Sequence, residues 1–586
     1  SLALALALCL NLGACTQKDK EGVYTPGAYV GISENGMGGK LTVEVTVDEN
    51  AITAVEVTGH AETAGISDPA IEKIPAAIKE AVANALAVAR GEAEPVKEGQ
   101  TANVELPFDK ADVIVIGCGF AGMNAALSAA EAGANVVVLE KTGKRGGAAN
   151  VGGATLSGAG TKMQAEANVV DSPELLYQDF VDKNANIGGN ANFNEELARF
   201  YAEHSGEAVD WLDSLGADLG DRIPKNPSLY EPMNVPRQYG GDMKSYLKVV
   251  GDLLDAQVEA GKVAILYYTE ATELIMEGAA VTGVKATAQD GSEVEFLAPA
   301  TIMCTGGYGY NKELLLEYNF KDCLTTCPET STGDGFRFAQ QAGGVLQNME
   351  HISTYAGGVR DGDSFLKTMG VRIKDFPYMI FVNREGQRFV DELGAEDGTD
   401  YDEITAWWGK DDNEVFIMFD QAMVDDLRAQ EKPIFSYDND WSQWDGAVEK
   451  GEQVFKADTV AEAAKLAGID AANLEATIAR YNGFVDAGKD ADFGRTREMK
   501  KFETGPYYII RTVPYVMITS GGPWMNDRCQ LLNADCEVIP GLYQAGEIVG
   551  GNNISGHTTY GGVQNTGCIV WGKQAGAQAA AYAAQQ

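Results

Sequence analysis

The stretch DVIVIGCGFAGMNAALSAAEAGANVVVLEK, which begins at Asp112, constrains this chain more than any other. An unbroken run of β-branched residues before Gly117 reads as a strand buried on both faces. Gly117, Gly119 and Gly122 follow at G-x-G-x-x-G spacing, and an alanine-rich helix comes next. Gly117 suits the tight turn, Gly119 lets backbone approach a pyrophosphate, and Gly122 lets helix pack on strand. The helix N-terminus adds free N–H groups and a positive dipole end. A second strand closes on Glu140, 23 residues after Gly117, where a carboxylate accepts from ribose hydroxyls. This is a dinucleotide-binding βαβ unit, and Phe120, Ala121 and Lys141 are further candidate contacts.

Later segments favour FAD as that dinucleotide. Gly147 and Gly153 lie in the glycine-rich GGAANVGG, and Thr305-Gly306-Gly307 follow a strand in APATIMCTGGYG. Asp334 stands between two glycines in TGDGFRF, and Gly546-Glu547 follow a strand in IPGLYQAGEIVGG. Gly562, Val563 and Gln564 open the last helix, whose N–H groups suit flavin O2. Cofactor segments from both chain ends imply an inserted middle. The expected fold is α/β: a Rossmann-like FAD-binding domain over 108–348 and 517–586, with an inserted α+β capping domain over 349–516. In the cap, MIFVNREGQRFVDE reads as strand, turn, strand; Cys529 and Cys536 flank another hairpin turn.

The first hundred residues read differently. SLALALALCLNLGAC is an apolar run too short to span a bilayer. It resembles a lipoprotein signal (1–14) whose Cys15 takes the lipid, followed by a polar tether (15–22) and an extracytoplasmic, membrane-anchored protein. Residues 23–100 form a small α+β unit that resembles an FMN-binding domain, with a β-hairpin turning at Asp48-Glu49-Asn50. The resemblance implies FMN as a second cofactor. Against a covalent FMN stands the absence of the S/T-G-A-T-x-S/T attachment loop; the nearest string, Gly152 to Ser157, lies in the other domain. The net charge of −40 opposes nucleic acid and anionic lipid as partners. Nine cysteines and four histidines, with no CxxC, point to no metal site. The pairs Cys323/Cys327 and Cys529/Cys536 are spaced for disulfides outside the cell.

With GxGxxG and Glu140, TGG, TGDG, VNxEGxRFVxE and GLYxAGE in place, residues 108–586 resemble the flavoprotein family of fumarate reductases, urocanate reductases and 3-ketosteroid dehydrogenases. Fumarate reductases of that family hold a dicarboxylate with two histidines and two arginines. Carried onto this sequence, those positions fall at Tyr355 (with His351 nearby), Glu396, Ile518 and Thr559. All four depart, so the resemblance implies a substrate other than fumarate.

The resulting expectation is an FAD-dependent reductase of a C=C bond conjugated to a carbonyl, an enone or acrylate of aromatic or steroid-like type. Such a reaction needs one group to polarise the carbonyl and one to protonate the α-carbon. Tyr560, His557 and Tyr355 are the candidates, with Ile518 and Trp524 as lining. Electrons would come from a membrane quinol or flavoprotein donor in anaerobic respiration. Two alternatives stay open: a ketosteroid-type dehydrogenase running in reverse, and a non-catalytic flavin electron carrier.

Overall fold

The computed structural model describes strands within 27–60 and most of 106–586. Outside the described residues lie 1–26, 37–38, 48–51, 61–105, 187–192, 223, 226–234, 319–322, 351, 374–377, 393–413, 437 and 556–560, and with them the signal-like run, Cys15 and the Asp48-Glu49-Asn50 turn. The chain divides into two compact units, Ser1–Gln100 and Thr101–Gln586.

In the first unit, β1 (Gly27–Gly36), β2 (Gly39–Val47) and β3 (Ile52–His60) form an antiparallel meander. The expected hairpin corresponds to β2 and β3, which pair from Leu41↔His60 to Val47↔Ile52. A third strand, β1, completes the sheet, as a two-stranded ribbon is marginal alone.

The second unit is built on a parallel sheet. It contains β4 (Val113–Ile116), helix α1 (Phe120–Glu131), β5 (Val136–Glu140), helix α2 (Met243–Glu259) and β6 (Val263–Tyr267). A small antiparallel meander follows: β7 (Glu270–Glu277), β8 (Ala280–Thr287) and β9 (Glu293–Leu297). The chain then re-enters the main sheet at β10 (Ala300–Met303), on the other side of β4 from β5. The apolar runs of β4 and β5 reflect burial on both faces. Val113, Val115, Val136 and Val138 join the core under α1 and α2. Ile114, Ile116, Val137 and Leu139 point to the opposite core, under the meander.

Helix α3 (Asp334–Gln341) leads to the middle segment. There β11 (Ile352–Val359) pairs with the long strand β14 (Tyr507–Thr519), which also pairs with β13 (Val415–Asp420); β13 in turn pairs with β12 (Ile380–Val382). This mixed sheet has its own core, which includes Ile380, Ile417, Trp444 and Ile510. The expected second strand of VNREGQRFVDE is reduced to one bridge, Val382↔Arg388. The reason is a buried ion cluster: Arg388 forks onto Glu392 at 2.7 Å and reaches Asp490 at 2.8 Å, and Arg495 meets Glu392 at 3.1 Å. Those charges are satisfied only if the chain turns inward and leaves the sheet.

After β14 the chain returns to the parallel-based sheet of this unit through β15 (Gln530–Leu532) and β16 (Val538–Gln544), and helix α4 (Val563–Ala583) follows. No disulfide joins Cys323 to Cys327 or Cys529 to Cys536, although both spacings allow one. Cys529 is buried against the Trp571 carbonyl while Cys536 is exposed. Among the described residues no helix is long and apolar enough to cross a membrane, and no group of three or more His, Cys, Asp or Glu is placed to hold a metal.

Candidate active site

Two uncapped helix N-termini point the same way beside the parallel sheet. Gly117 turns the chain out of β4 at φ +96°, and α1 starts at Phe120 without a side-chain cap. A Cβ at Gly122 would collide with the Gly117 carbonyl oxygen. The turn is closed from the side by Gly146, whose N–H donates to the Cys118 carbonyl at 2.8 Å, and by Gly147, which lies against Gly119.

Glu140 braces this turn. Its carboxylate accepts from the Cys118 N–H at 2.9 Å, from the Thr142 N–H at 2.8 Å and from the Thr142 hydroxyl at 2.7 Å. A carboxylate has about four lone-pair sites, so one remains for a ribose hydroxyl. Beside it, Lys141 donates to Asp334 and Thr332, both at 2.8 Å. Two candidates chosen separately from sequence thus form one ion pair at the start of α3, and Thr332 joins them.

Across the sheet, Thr305 and Gly306 follow β10. The Thr305 hydroxyl is buried with no hydrogen-bond partner and lies against Gly335 in the first turn of α3. Glu547 is braced by Thr519, whose N–H and hydroxyl donate to it at 2.9 and 3.0 Å. Burial raises the Glu547 carboxyl above the ordinary glutamate range, and the bonds from Thr519 and Gly307 oppose that rise. Gly307 must be bare, because a Cβ would strike both Thr519 and Glu547. Gly546 lies against Ala121, which ties this corner to α1.

The second helix N-terminus is that of α4, entered through Gly562 at φ +90°. Gly153, farther out, has nothing within 4 Å of a built Cβ, but its carbonyl accepts from Asn565 at 2.8 Å. Helices α1 and α4 touch through small residues: Gly572 faces Ala121, and Gly576 faces Ala125. That equal spacing makes them parallel. Helix α4 starts nine residues before Gly572, α1 one residue before Ala121, so α4 projects eight residues further. At 1.5 Å per residue the offset is about 12 Å.

These features fit FAD. Neither helix carries an acid in its first turn, in a chain of net charge −40. The staggered positive ends suit an anionic pyrophosphate at one point and a flavin pyrimidine ring further along. The unpartnered Thr305 hydroxyl offers a donor to cofactor oxygen. Cys118 and Cys568, near the two helix starts, are pushed up to about 12 by burial, so both remain thiols at neutral pH.

Beside Glu547, Ile518 and Thr519 end β14, and Gly521 and Gly522 pack on Asn348, Met349 and the Ile548–Val549 turn. Trp524 is bound through its backbone to Val345 and Leu532, on the FAD-domain side. Tyr355 pairs with Tyr515 in the β11–β14 register. His557, Thr559 and Tyr560 lie outside the described residues, as do His351 and Glu396. The segment Gly152–Ser157, the string most like an FMN attachment loop, ends in strand Thr155–Ser157; Ser157 is fully buried, which leaves no room for a phosphodiester FMN there.

Residues 112–563 match the family model described as an FAD binding domain, and residues 36–167 match that of an FMN-binding domain. The chain is 31% identical over 503 residues to a fumarate reductase (cytochrome) of Shewanella frigidimarina, covering 84% of this chain and 80% of that protein. It is 30% identical over 626 residues to the urocanate reductase of Eggerthella lenta, covering 99% and 97%. The open conformation of a flavocytochrome c3 fumarate reductase superposes with a TM-score of 0.62 at 27% identity, over 81% of this chain and 79% of that one. The fold and crevice define a flavin-dependent oxidoreductase, and the chain belongs to the FAD-binding flavoprotein family that includes these reductases.

Proposed function

We propose that this protein reduces a C=C bond conjugated to a carbonyl, on an aromatic or steroid-like enone or acrylate and not on a dicarboxylate. Ile518 supports this reading most. It stands one residue before Thr519, which holds Glu547, and its register is fixed by Gly521 and Gly522. The family's dicarboxylate enzymes would have a histidine there. Isoleucine offers no charge or hydrogen bond, and a second substrate carboxylate left unpaired in a dry pocket costs several kcal/mol. The stretch GGNNISGHTTYGG likewise supplies no arginine.

FAD, when bound, supplies the hydride. The chain would hold the ribose with Glu140, the pyrophosphate with the first turn of α1, and the flavin pyrimidine ring with the Val563 and Gln564 N–H groups. Tyr560 is the first choice for polarising the carbonyl or protonating the α-carbon, followed by His557 and Tyr355. Residues 349–516 act as the cap that keeps water out. Residues 1–14 serve as a signal and Cys15 as a lipid anchor, which places the protein outside the cytoplasmic membrane with a quinol or flavoprotein donor. Residues 23–100 are the natural relay, with FMN held non-covalently where it is held at all.

The test is anaerobic reoxidation of the dithionite-reduced holoenzyme by fumarate, urocanate, aryl acrylates and ketosteroid enones. Aryl acrylates or enones should reoxidise the flavin at least about a hundredfold faster than fumarate, the effect of losing an anchoring charge pair. Fast reoxidation by fumarate overturns the substrate assignment.

A further inference from the structure

Glycines near the start of α4 are kept bare for different reasons, and at Gly561 the neighbour is a side chain distant in sequence. The Gly561 backbone is not left-handed. What occupies its Cβ space is the carboxamide of Gln238, whose Nε2 donates to the Gly561 carbonyl at 2.7 Å across 323 residues of sequence. Gln238 is itself firmly placed. It sits in strand Gln238–Gly240, which pairs with Thr155–Ser157. The preceding Arg237 is fully buried and forks onto Asp171, with both bonds at 2.7 Å, while also reaching Asp179. The same two-stranded platform grips the start of α4. The backbone of Leu156 and Ser157 fills the space beside Gly562, the Ser157 N–H donates to Thr566 at 2.9 Å, and Asn565 donates to the Thr155 carbonyl at 2.8 Å.

We propose that Gln238 is a positioning residue for the flavin: by holding the Gly561 carbonyl, it fixes the register in which the first turn of α4 meets the flavin ring. In this role the residue acts through the Gly561 carbonyl and, beyond it, Gly562. This rests on the FAD-reductase reading for its purpose. Its test requires no substrate.

The experiment compares wild-type, Gln238→Met and Gly561→Ala holoenzymes, and the double variant, by titration of the flavin against a reference dye. Gln238→Met keeps the length of the side chain and removes the donor. Both single variants should make flavin reduction harder by about tenfold in equilibrium constant, ~30 mV for a two-electron couple, with a changed flavin absorption band and retained FAD. The double variant should be no worse than Gly561→Ala alone, since each change breaks the same contact. Unchanged potential and spectrum in Gln238→Met, or additive losses in the double variant, overturn the proposal. If Gln238→Met loses FAD, the potential of Gly561→Ala decides: an unshifted value overturns it. Should no unsaturated carbonyl reoxidise the wild-type enzyme while these potentials still shift, the functional reading falls and the role of Gln238 stands.

Discussion

Two glycine-rich turns, each opening an uncapped helix, face one crevice, yet they are kept glycine by different neighbours. At the first, Gly117 and Gly122 face backbone: the Cys304 carbonyl at Gly117 and the Gly117 carbonyl at Gly122. At the second, beside Gly562 with its backbone neighbours, stand two glycines that face the ends of side chains: Gln564 at Gly551 and Gln238 at Gly561. Backbone in a packed sheet cannot yield, while a carboxamide can swing away at modest cost. The turn that opens α1 is therefore fixed at Gly117 and Gly122 by backbone packing, whereas the approach to α4 is set in part by replaceable side chains at Gly551 and Gly561. A family that keeps its cofactor while changing substrates needs that division.

The largest expected effect tests what holds the adjustable end. Arg237→Met leaves Asp171 and Asp179 buried without their partner, and stability in urea should fall by about 3–5 kcal/mol. Next comes the fixed end: Gly122→Ala should cost about 2–3 kcal/mol and strip FAD from the purified protein, read from the flavin absorbance. Gly551→Ala should cost at most about 1 kcal/mol, because Gln564 can move. Equal losses at Gly122 and Gly551 would erase the distinction drawn above. Thr305→Val removes the unpartnered buried hydroxyl, and FAD affinity should weaken by about tenfold, or roughly 1 kcal/mol, in a reconstitution titration.

The smallest effect concerns pH. Burial raises the Glu547 carboxyl above the ordinary glutamate range, so the folded apoprotein binds more protons than the unfolded chain. Its contribution to stability is then lost as pH rises from about 4.5 through the raised value. Glu547→Gln should make the apoprotein more stable at pH 7 and flatten that slope, as followed by thermal melts at a series of pH values.

The first turn was legible from spacing because its constraints lie within one βαβ unit: Gly117, Gly122 and Glu140 fall within 24 residues. Gly562 could be singled out, but the reason for Gly561 could not, since Gln238 is distant in sequence and sits in a strand with no motif. Lys141 and Asp334 were each legible, whereas their ion pair depended on how α3 returns to β5. The second arm of VNREGQRFVDE reads as a strand by pattern and is pulled out of the sheet by Arg388 and Glu392, whose partners Asp490 and Arg495 lie about a hundred residues away. Local periodicity records neighbours in sequence and is blind to buried charge partners brought in from elsewhere.

The contact of α1 with α4 also bears on the order in which the protein is made. Phe120 and Val563 open the two helices, so the strand–turn–helix that suits the pyrophosphate leaves the ribosome some four hundred and forty residues ahead of its companion. Gly572 and Gly576 must find Ala121 and Ala125 before the crevice has its second wall. In the FAD-binding reading, cofactor capture is thereby tied to the docking of α4 on α1. Removing Val563–Ala583 should therefore yield a protein without flavin, which makes flavin absorbance a reporter of the docking of α4.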